Sequence, residues 1–405
     1  MPVSKGQAMK VTTAQKLLVL LVIALLSVSC TTGDVNQLPL ATATAAGPVP
    51  ASETAARLPV ARTDCVSRYP STPSERKNWP KEEWTVSTLE EHCLDRAAVE
   101  KGAWYLEQTY NYSSLVIIRH GELVYEKYFL RSGNPERSVT IYSMTKSFLS
   151  ALIGIAMDQG QLDSLDHKVI EYFPEYFTPS TDPRMKEVTL RDLITMSVDF
   201  LWVNENDITV APWVNSENMV KSAINLKFPN IPAPKPEFNY CTPNTQILSG
   251  VLTKILGEPL RAYAQRNLFS PLGIPAGNWS WGVDGQGNYL GGYGMYMRPR
   301  DIARFGYLYS NQGYWDGKQV ISAEWVQEST TKKIRASLTM DYGYLWWIHP
   351  NPALAVFEAR GSGGHMLSII PSLDMVIVVT GVGGGDLPDP DFVIHEYIIK
   401  AMTDE

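Results

Sequence analysis

The chain has 405 residues, of which 44% are hydrophobic and 19% charged, a composition typical of a folded protein rather than a disordered or fibrous one. Its 35 Lys and Arg stand against 42 Asp and Glu, giving a net charge of -7, so we predict no nucleic-acid partner. The four cysteines are too few for a disulfide scaffold and lack the paired spacing of a zinc site. We therefore predict neither a metal site nor a cofactor.

The first 29 residues have the layout of an export signal. Three lysines precede an apolar run at 17–26, and small residues follow it up to Cys30. These ten apolar residues are too few for a helix that crosses a bilayer about 30 Å thick. Cys30 directly after such a run resembles the acylation site of bacterial lipoproteins, although ordinary signal peptidase cleavage nearby is an alternative. We therefore expect an exported protein of the bacterial envelope or periplasm, anchored in the lipid bilayer through acylated Cys30.

A tether is predicted after the signal, at residues 30–83, followed by one folded domain at 84–405. Residues 31–63 are rich in Ala, Thr and Pro and contain no aromatic residue, so they cannot bury enough surface to fold. The remaining cysteines are Cys65, Cys93 and Cys241. In an oxidising compartment, Cys65 with Cys93 is the plausible disulfide pair.

Within the folded domain, apolar periodicity predicts an α+β fold. A helix is expected at 89–110, and two strands at 115–119 and 123–129 form a hairpin around His120 and Gly121. Residues 150–335 read as helices and long loops. The predicted architecture is thus an antiparallel sheet built from both ends of the chain, flanked by helices, with a mostly helical lobe inserted and a site between the lobes. The carboxy-terminal elements are strands at 343–348, 356–360, 366–370 and 375–380 and a helix at 392–402.

The Ser-x-x-Lys motif occurs three times, starting at Ser74, Ser143 and Ser329. The copies at Ser74 and Ser329 lie in polar stretches that predict no burial. Ser143 instead opens a predicted helix that ends at Gly160. The apolar positions of this helix recur at helical spacing, at 149, 152, 153 and 156.

At the start of a helix, Ser143 and Lys146 form a plausible nucleophile and base. Residues three apart share a helix face, so the amine can reach the hydroxyl. Burial disfavours a charged lysine and lowers its pKa, which makes a free amine available near neutral pH. Free N–H groups at the helix start favour an oxyanion formed when Ser143 attacks a carbonyl. The alternative is a helix-capping serine with an incidental surface lysine.

Several ordered segments resemble the serine hydrolase family of class C β-lactamases, D-alanyl-D-alanine peptidases and related esterases. The likeness covers about residues 110–400 and is greatest to the branch of 6-aminohexanoate-dimer hydrolases, which cleave short linear amides and often esters. It implies a β-lactamase and penicillin-binding-protein-like transpeptidase fold with Ser143 as the nucleophile. The segments are IYSMTKSFLSALIGIAMDQGQLDSLDHKVIEYFPEY, VTLRDLITMS, FNYCTPNTQILSGVL, GGYGMYMRPRDIARFGYLYSNQGYWDGKQVISAEWV, YGYLWWIHP and ARGSGGHMLSIIPSLDMVIVVT.

The resemblance implies a tyrosine that moves the proton, usually followed two residues on by Asn. Tyr309 matches these letters, whereas Tyr240 matches the surroundings, with an aromatic residue before it and an apolar helix after it. We assign Tyr240, because Tyr309 ends an apolar helix and reads as a packing residue. Thr242 takes the place of the Asn, which argues against a standard β-lactam or peptidoglycan pocket. We further expect the Lys146 cation to help Tyr240 toward the phenolate.

The third family element is an edge strand with a cation and a backbone N–H for the oxyanion hole. Ala359 occupies the cation position, and Ser362 would supply the N–H together with that of Ser143. The missing cation argues against substrates with a free carboxylate. Residues predicted to contact the substrate are Thr242, Gly361, Gly363, His365 and Trp202, with a structural role as the alternative for His365. Six tryptophans could line the cleft: Trp202, Trp213, Trp279, Trp281, Trp346 and Trp347.

Together these features predict an exported serine hydrolase that cleaves a small amide or ester through a Ser143 acyl-enzyme. Lys146 and Tyr240 would perform the acid-base chemistry. One alternative is a D-alanyl-D-alanine carboxypeptidase or a class C-type β-lactamase. A second alternative is a lipid-anchored envelope protein that binds ligands without turnover.

Overall fold

A computed structural model describes residues 72–77, 79–109, 111–130, 133–202, 207–231, 236–350, 354–382 and 389–402, with side chains 207 and 208 excepted. All of them belong to one compact unit. The predicted signal at 1–29, Cys30 and Cys65 lie outside the described residues. Cys93 is disulfide-bonded, while Cys241 is a buried free thiol. Within the described ranges, no helix combines the length and the hydropathy that a membrane span requires.

In the described part of the chain, eight antiparallel strands form one sheet, in the order β2-β1-β13-β12-β11-β10-β9-β8. Both ends of the chain contribute to it, and helices flank it, so the predicted α+β architecture is confirmed. Two smaller sheets, the three-stranded β3-β5-β4 and the two-stranded β6-β7, are formed by residues that lie in sequence between β2 and β8. The strands are β1 (Tyr112–Arg119), β2 (Glu122–Tyr128), β3 (Val139–Thr140), β4 (Ser280–Trp281), β5 (Met295–Met297), β6 (Tyr314–Trp315), β7 (Lys318–Gln319), β8 (Ile334–Arg335), β9 (Asp341–Tyr342), β10 (Trp347–Ile348), β11 (Phe357–Gly361), β12 (His365–Ile370) and β13 (Met375–Gly381).

The large sheet is covered on both faces, as the fully buried strand β13 requires. Side chains alternate between faces along a strand. Val376 and Val378 therefore join one hydrophobic cluster, and Ile377 and Val379 join the other. The helices are α1 (Arg96–Gln108), α2 (Thr145–Asp158), α3 (Val169–Tyr172), α4 (Leu190–Ile194), α5 (Asp207–Val214), α6 (Met219–Ile224), α7 (Thr242–Leu256), α8 (Leu260–Ala264), α9 (Pro299–Ser310), α10 (Ala323–Ser329) and α11 (Asp391–Val393).

Helix α1 and the carboxy-terminal helical segment pack on one face of the sheet, and α2 and α9 pack on the other. The approach of α9 is close, because a Cβ on Gly306 would lie 2.6 Å from side chains of β12 and β13. The last part of the predicted lobe at 150–335 therefore belongs with the sheet. Tighter or wider helical turns occur at Pro73–Glu75, Glu90–His92, Tyr142–Met144, Pro174–Tyr176, Pro183–Lys186, Gln265–Phe269, Pro371–Leu373 and Ile394–Ile399.

Two predicted elements differ from the structure because single residues adopt the left-handed conformation. The helix predicted at 89–110 starts only at Arg96, since Cys93 has φ +54° and Asp95 then caps the helix with a hydrogen bond from the Ala97 N–H. Of the strand predicted at 343–348, only β10 is a strand, because residues 343–346 form a turn after β9 in which Leu345 has φ +63°. The remaining predicted strands are present with ends shifted by one to three residues.

The predicted tether at 30–83 ends too late. Arg76 forms an ion pair with Asp374 at 2.7 Å and a hydrogen bond to Tyr307. Trp79 packs on the ring of Trp315, with centroids 5.3 Å apart. The polar composition before residue 84 concealed these contacts, because each depends on one arginine or tryptophan rather than on a periodic pattern.

Candidate active site

Ser143 lies at the junction between β3 and α2, in the tight helical turn Tyr142–Met144. Tyr142 just before it has φ +44°, a left-handed conformation that costs energy for a bulky residue. The α-helix proper begins at Thr145, so the predicted helix start at Ser143 is correct to within two residues. This arrangement fixes the serine where a strand turns sharply into a buried helix.

Lys146 is buried beside Ser143, with only 1% of its surface exposed. Its Nζ lies 3.0 Å from Ser143 Oγ, 3.0 Å from the carbonyl oxygen of Gly292 and 3.3 Å from Thr242 Oγ1. Burial lowers the pKa of Lys146 to about 7. A neutral amine has two N–H donors and one lone pair. The two donors match the oxygens of Gly292 and Thr242, and the lone pair matches the Ser143 hydroxyl as donor. The predicted pairing of Ser143 with Lys146 is thus present in the structure.

Tyr240 completes a three-residue cluster with Ser143 and Lys146. Its hydroxyl hydrogen-bonds Ser143, and Lys146 Nζ lies 4.9 Å from the centre of its ring. Burial raises the pKa of Tyr240 to about 12, although the hydrogen bond to Ser143 opposes this rise. The expectation that Lys146 drives Tyr240 to the phenolate is therefore wrong, because burial favours the neutral form of both groups.

Tyr309, the competing tyrosine, lies in the core at the end of α9. It is 1% exposed and packs on Trp346, Phe305 and Phe357, with ring centroids 4.6 Å, 5.1 Å and 6.3 Å away. These are packing contacts, as its position at the end of an apolar helix suggested. The structure therefore brings Tyr240, and not Tyr309, into contact with Ser143.

The end of strand β11 lies against the nucleophile turn. A Cβ on Gly361 would sit 2.5 Å from the carbonyl oxygen of Ile141, so only glycine allows this approach. Ser362 is exposed in the following turn, where Gly363 has φ +80°. Ala359 is buried at the position where the family has a cation. Gly361 thus lies next to the Ser143 segment, while the oxyanion role of Ser362 and the substrate contacts of Gly361 and Gly363 stay predictions.

Two predicted substrate contacts are core side chains instead. His365 is 1% exposed, its Nδ1 accepts a hydrogen bond from the Gly381 N–H at 3.4 Å, and burial lowers its pKa to about 4. Trp202 is 6% exposed and packs edge-on against Trp213. The alternative structural interpretation of His365 is therefore correct, and Trp202 belongs to the core.

Of the six tryptophans considered for the cleft, Trp347 alone is partly exposed, and all six lie within the described ranges. Its ring lies 5.4 Å from that of Tyr240 and 5.8 Å from that of Phe238. Trp347 therefore forms an aromatic wall beside the cluster.

The sequence reasoning missed Gly292, whose carbonyl oxygen accepts a hydrogen bond from Lys146. A Cβ at this position would lie 2.5 Å from Thr242 Cγ2 and 3.1 Å from Lys146 Nζ. The available signal was the run GGYGMYM, which belongs to the family-like segments. Thr242, interpreted as a substrate contact, also touches Lys146.

The other two Ser-x-x-Lys copies lack this geometry. Ser74 and Lys77 are exposed. Ser329 is buried, contrary to expectation, but Lys332 points to Asp341 at 3.1 Å.

Comparison with known proteins agrees with the fold and the cluster. The β-lactamase family model matches residues 106–392. The chain is similar to the 6-aminohexanoate-dimer hydrolase of Paenarthrobacter ureafaciens, at 25% identity over 71% of this chain and 75% of the relative.

Solved structures show the same architecture. A protein of Bacillus anthracis assigned by name as a 6-aminohexanoate-dimer hydrolase superposes with a TM-score of 0.64, at 21% identity, over 82% of this chain and 88% of that one. A β-lactamase/D-alanine carboxypeptidase of Pseudomonas syringae has a TM-score of 0.59 at 18% identity, over 76% and 99% of the two chains. The chain therefore belongs to the β-lactamase family and is a serine hydrolase.

Proposed function

We propose that this hydrolase cleaves small amides or esters through an acyl-enzyme on Ser143. The observation that carries this proposal is the buried Lys146 amine, 3.0 Å from Ser143 Oγ and with a pKa lowered by burial to about 7. Lys146 takes the Ser143 proton as the oxygen attacks the carbonyl carbon. The N–H groups of Ser143 and Ser362 hold the resulting oxyanion.

Collapse of the tetrahedral intermediate breaks the bond to the leaving amine or alcohol. Tyr240 is a neutral phenol hydrogen-bonded to Ser143, so it can donate its proton to the leaving group and regain one from Lys146. Water then attacks the acyl-enzyme, loses a proton to the same pair, and releases the acid. Every proton is thus returned within the cluster of Ser143, Lys146 and Tyr240.

The substrate class follows from the walls of the site. Ala359 supplies no cation for a substrate carboxylate. Thr242 stands at the position where relatives have an Asn, and its hydroxyl oxygen accepts a hydrogen bond from Lys146. Tyr240, Phe238 and Trp347 form an aromatic wall that favours an apolar acyl or leaving group. These features favour short linear amides and esters over penicillins and D-alanyl peptides.

Covalent labelling tests the proposal. We expect a fluorophosphonate to add one adduct at Ser143, located by mass spectrometry, and expect Ser143→Ala to remove it. Ser74→Ala is the matched control, since it alters an exposed copy of the same motif and should keep the adduct. Absence of an adduct on the wild-type protein would leave the non-catalytic binding protein as the better interpretation.

Penicillin distinguishes the enzymatic alternatives. A long-lived penicilloyl adduct on Ser143 would favour a D-alanyl-D-alanine carboxypeptidase, and rapid penicillin turnover would favour a β-lactamase. We expect neither, together with hydrolysis of short-chain amide and ester substrates.

We propose in addition that the protein is exported and anchored through an acylated Cys30. The support is the order of residue types at 1–30, in which lysines come first, an apolar run follows, and small residues lead up to Cys30. Cys30→Ser should move the protein from the membrane fraction to the soluble fraction of the producing bacterium. An unchanged distribution would contradict lipid anchoring.

A further inference from the structure

A cluster of potential metal ligands lies away from Ser143, where the carboxy-terminal helix meets the sheet. His349 directly follows β10, Asp391 begins α11, and His395 lies one turn further along. Within the described residues, one ligand atom of each lies within 4.8 Å of the others. Glu358 of β11 adjoins them, with its Oε2 3.2 Å from His349 Nε2. Ala359, the neighbour of Glu358, packs on the opposite face of the strand, in the cluster that contains α2.

The spacing of these atoms fits a small transition-metal ion. Asp391 Oδ1 lies 3.6 Å from His349 Nε2 and 3.8 Å from His395 Nε2. Two ligands of a tetrahedral zinc ion, each about 2.0–2.1 Å from the metal, are about 3.4 Å apart. A contraction of a few tenths of an ångström at these pairs would bring the atoms into that geometry, and half-exposed His395 leaves a route for entry from solvent.

The candidate ligand atoms make no well-aligned hydrogen bond, although His349 Nε2 lies at ion-pair distance from Glu358 Oε2. Among the described residues, His349 Nε2, Asp391 Oδ1, His395 Nε2 and Glu358 Oε1 are buried and lack a hydrogen-bond partner. Glu358 is fully buried, so its unpaired oxygen is costly unless a cation satisfies it.

Arg360 orients the carboxylates without occupying those atoms. Its Nη2 lies 2.5 Å from Asp391 Oδ2 and 2.5 Å from Glu358 Oε2, and its Nη1 donates to Asp389 at 2.9 Å. Asp391 Oδ1 therefore stays available for a metal. Three carboxylates against one guanidinium leave surplus negative charge, which either a protonated His349 or a divalent cation would offset.

We propose that His349, Asp391 and His395 bind a Zn²⁺ ion, with the fourth position filled by water. Two histidines and a carboxylate are a ligand set that suits zinc. The ion joins the carboxy-terminal helix to β10, the strand that carries Trp347. Its role is structural and separate from the Ser143 chemistry. Cysteine spacing in the sequence does not indicate this site, because its ligands are two histidines and a carboxylate. His349 is moreover distant in sequence from Asp391 and His395.

Zinc titration of the purified protein, produced without a polyhistidine tag and stripped with a chelator, tests the site. We expect one Zn²⁺ per chain by calorimetry and a rise of about 4 °C in Tm at a hundredfold excess of free zinc over Kd. Co²⁺ in place of zinc should give a visible absorption band typical of a tetrahedral site. Absence of saturable binding would overturn the proposal and leave an ion network in which a protonated His349 pairs with the carboxylates.

Variants locate the ion. His395→Gln should weaken zinc binding at least 100-fold, whereas His167→Gln, at a histidine flanked by Asp163 and Glu171 on the surface, should leave it unchanged. Equal affinity in both variants would refute the assigned ligands. Fluorophosphonate labelling of Ser143 in each variant verifies folding, and it separates failure of the zinc site from failure of the proposed hydrolase function.

Discussion

At the scale of single residues, the chemistry depends on how completely Lys146 is removed from water. Among the described residues, no carboxylate contacts its amine. The groups that hydrogen-bond the amine are the hydroxyls of Ser143 and Thr242 and the carbonyl oxygen of Gly292. Without a counter-ion, burial disfavours the ammonium form and lowers the pKa of Lys146, and the opposing effect of Cys241 is smaller. The fold thus makes a base from an ordinary lysine at the expense of stability.

The acylation rate should follow the neutral fraction of Lys146. Since its pKa is about 7, kcat/KM for an ester substrate should rise with pH through about 7 and fall roughly tenfold per unit below it. Rates measured from pH 5.5 to 9 test this, with circular dichroism at each pH as the control for folding. A flat profile across pH 7 would contradict the assignment of Lys146 as the base.

Lys146→Met should abolish activity yet stabilise the fold. The unfolded lysine keeps its proton up to about pH 10.5, while the folded one loses it above about pH 7. At pH 7 and below this difference costs up to about 5 kcal/mol, at about 1.4 kcal/mol per pKa unit. We expect a net gain of about 1–3 kcal/mol, because the variant leaves the Gly292 carbonyl without its donor.

The gain should depend on pH. Between pH 7 and 10.5 the unfolded wild-type chain binds more protons than the folded one, so wild-type stability rises with pH and the advantage of Lys146→Met shrinks. Urea unfolding at pH 7 and pH 9.5 measures this change. A variant less stable than wild type at pH 7 would show that the amine is not buried in neutral form.

Tyr240→Phe and Tyr309→Phe should affect different properties. Loss of the Tyr240 hydroxyl removes the proton donor beside Ser143, and we expect kcat to fall about 100-fold or more. Tyr309 packs among aromatic rings remote from that contact, so its variant should keep kcat within about threefold. Steady-state kinetics with one amide substrate compares them, and a larger loss in Tyr309→Phe would reverse the assignment.

At the scale of elements, the site depends on the contact between β11 and the nucleophile turn. Gly361→Ala places a Cβ 2.5 Å from the Ile141 carbonyl oxygen, so the strand and the turn must separate. An oxyanion donor contributes about 10²–10³ in kcat, and a partial displacement should lower kcat about 10- to 100-fold.

Gly277→Ala is the matched control for Gly361→Ala, because a Cβ there meets no atom within 4 Å. Its kcat and its midpoint of urea unfolding should equal those of wild type. Equal kcat in the two variants would show that the oxyanion hole does not involve this strand.

The sequence predicted those strands and helices that depend on the pattern of their own residues. Apolar runs located β1, β2, β11, β12 and β13, because β1, β12 and β13 are buried throughout and β2 and β11 over three consecutive residues. Lys146 and Ser143 were found because three residues separate them. Gly292 could not be found this way, since it reaches Lys146 across 146 positions. The turn at 343–346, where a strand was predicted, depends on the φ of Leu345, which no periodicity encodes.

At the scale of the whole molecule, the described residues 72–77 and 79–83 are part of the folded unit. Arg304 is 5% exposed, and its guanidinium donates to the carbonyl oxygens of Pro80 and Glu82. Asp374 is paired with Arg76, and burial raises its pKa although Arg76 opposes this rise. Two buried charges thus depend on a stretch whose composition predicted a tether.

A form that begins at residue 84 should therefore be much less stable than one that begins at residue 72. The shorter form removes the ion pair of the partly buried Asp374 and two acceptors of the Arg304 guanidinium, and loss of one member of a buried pair costs at most about 3–5 kcal/mol. Both forms lack Cys65, so the predicted Cys65–Cys93 disulfide is absent from both and does not affect the comparison. Urea unfolding followed by tryptophan fluorescence measures the difference, and Arg76→Ala in the longer form should reproduce a substantial part of it. If the two forms unfold at the same urea concentration, residues 72–83 do not stabilise the domain. The boundary of the folded unit would then lie at residue 84, as the composition alone predicted.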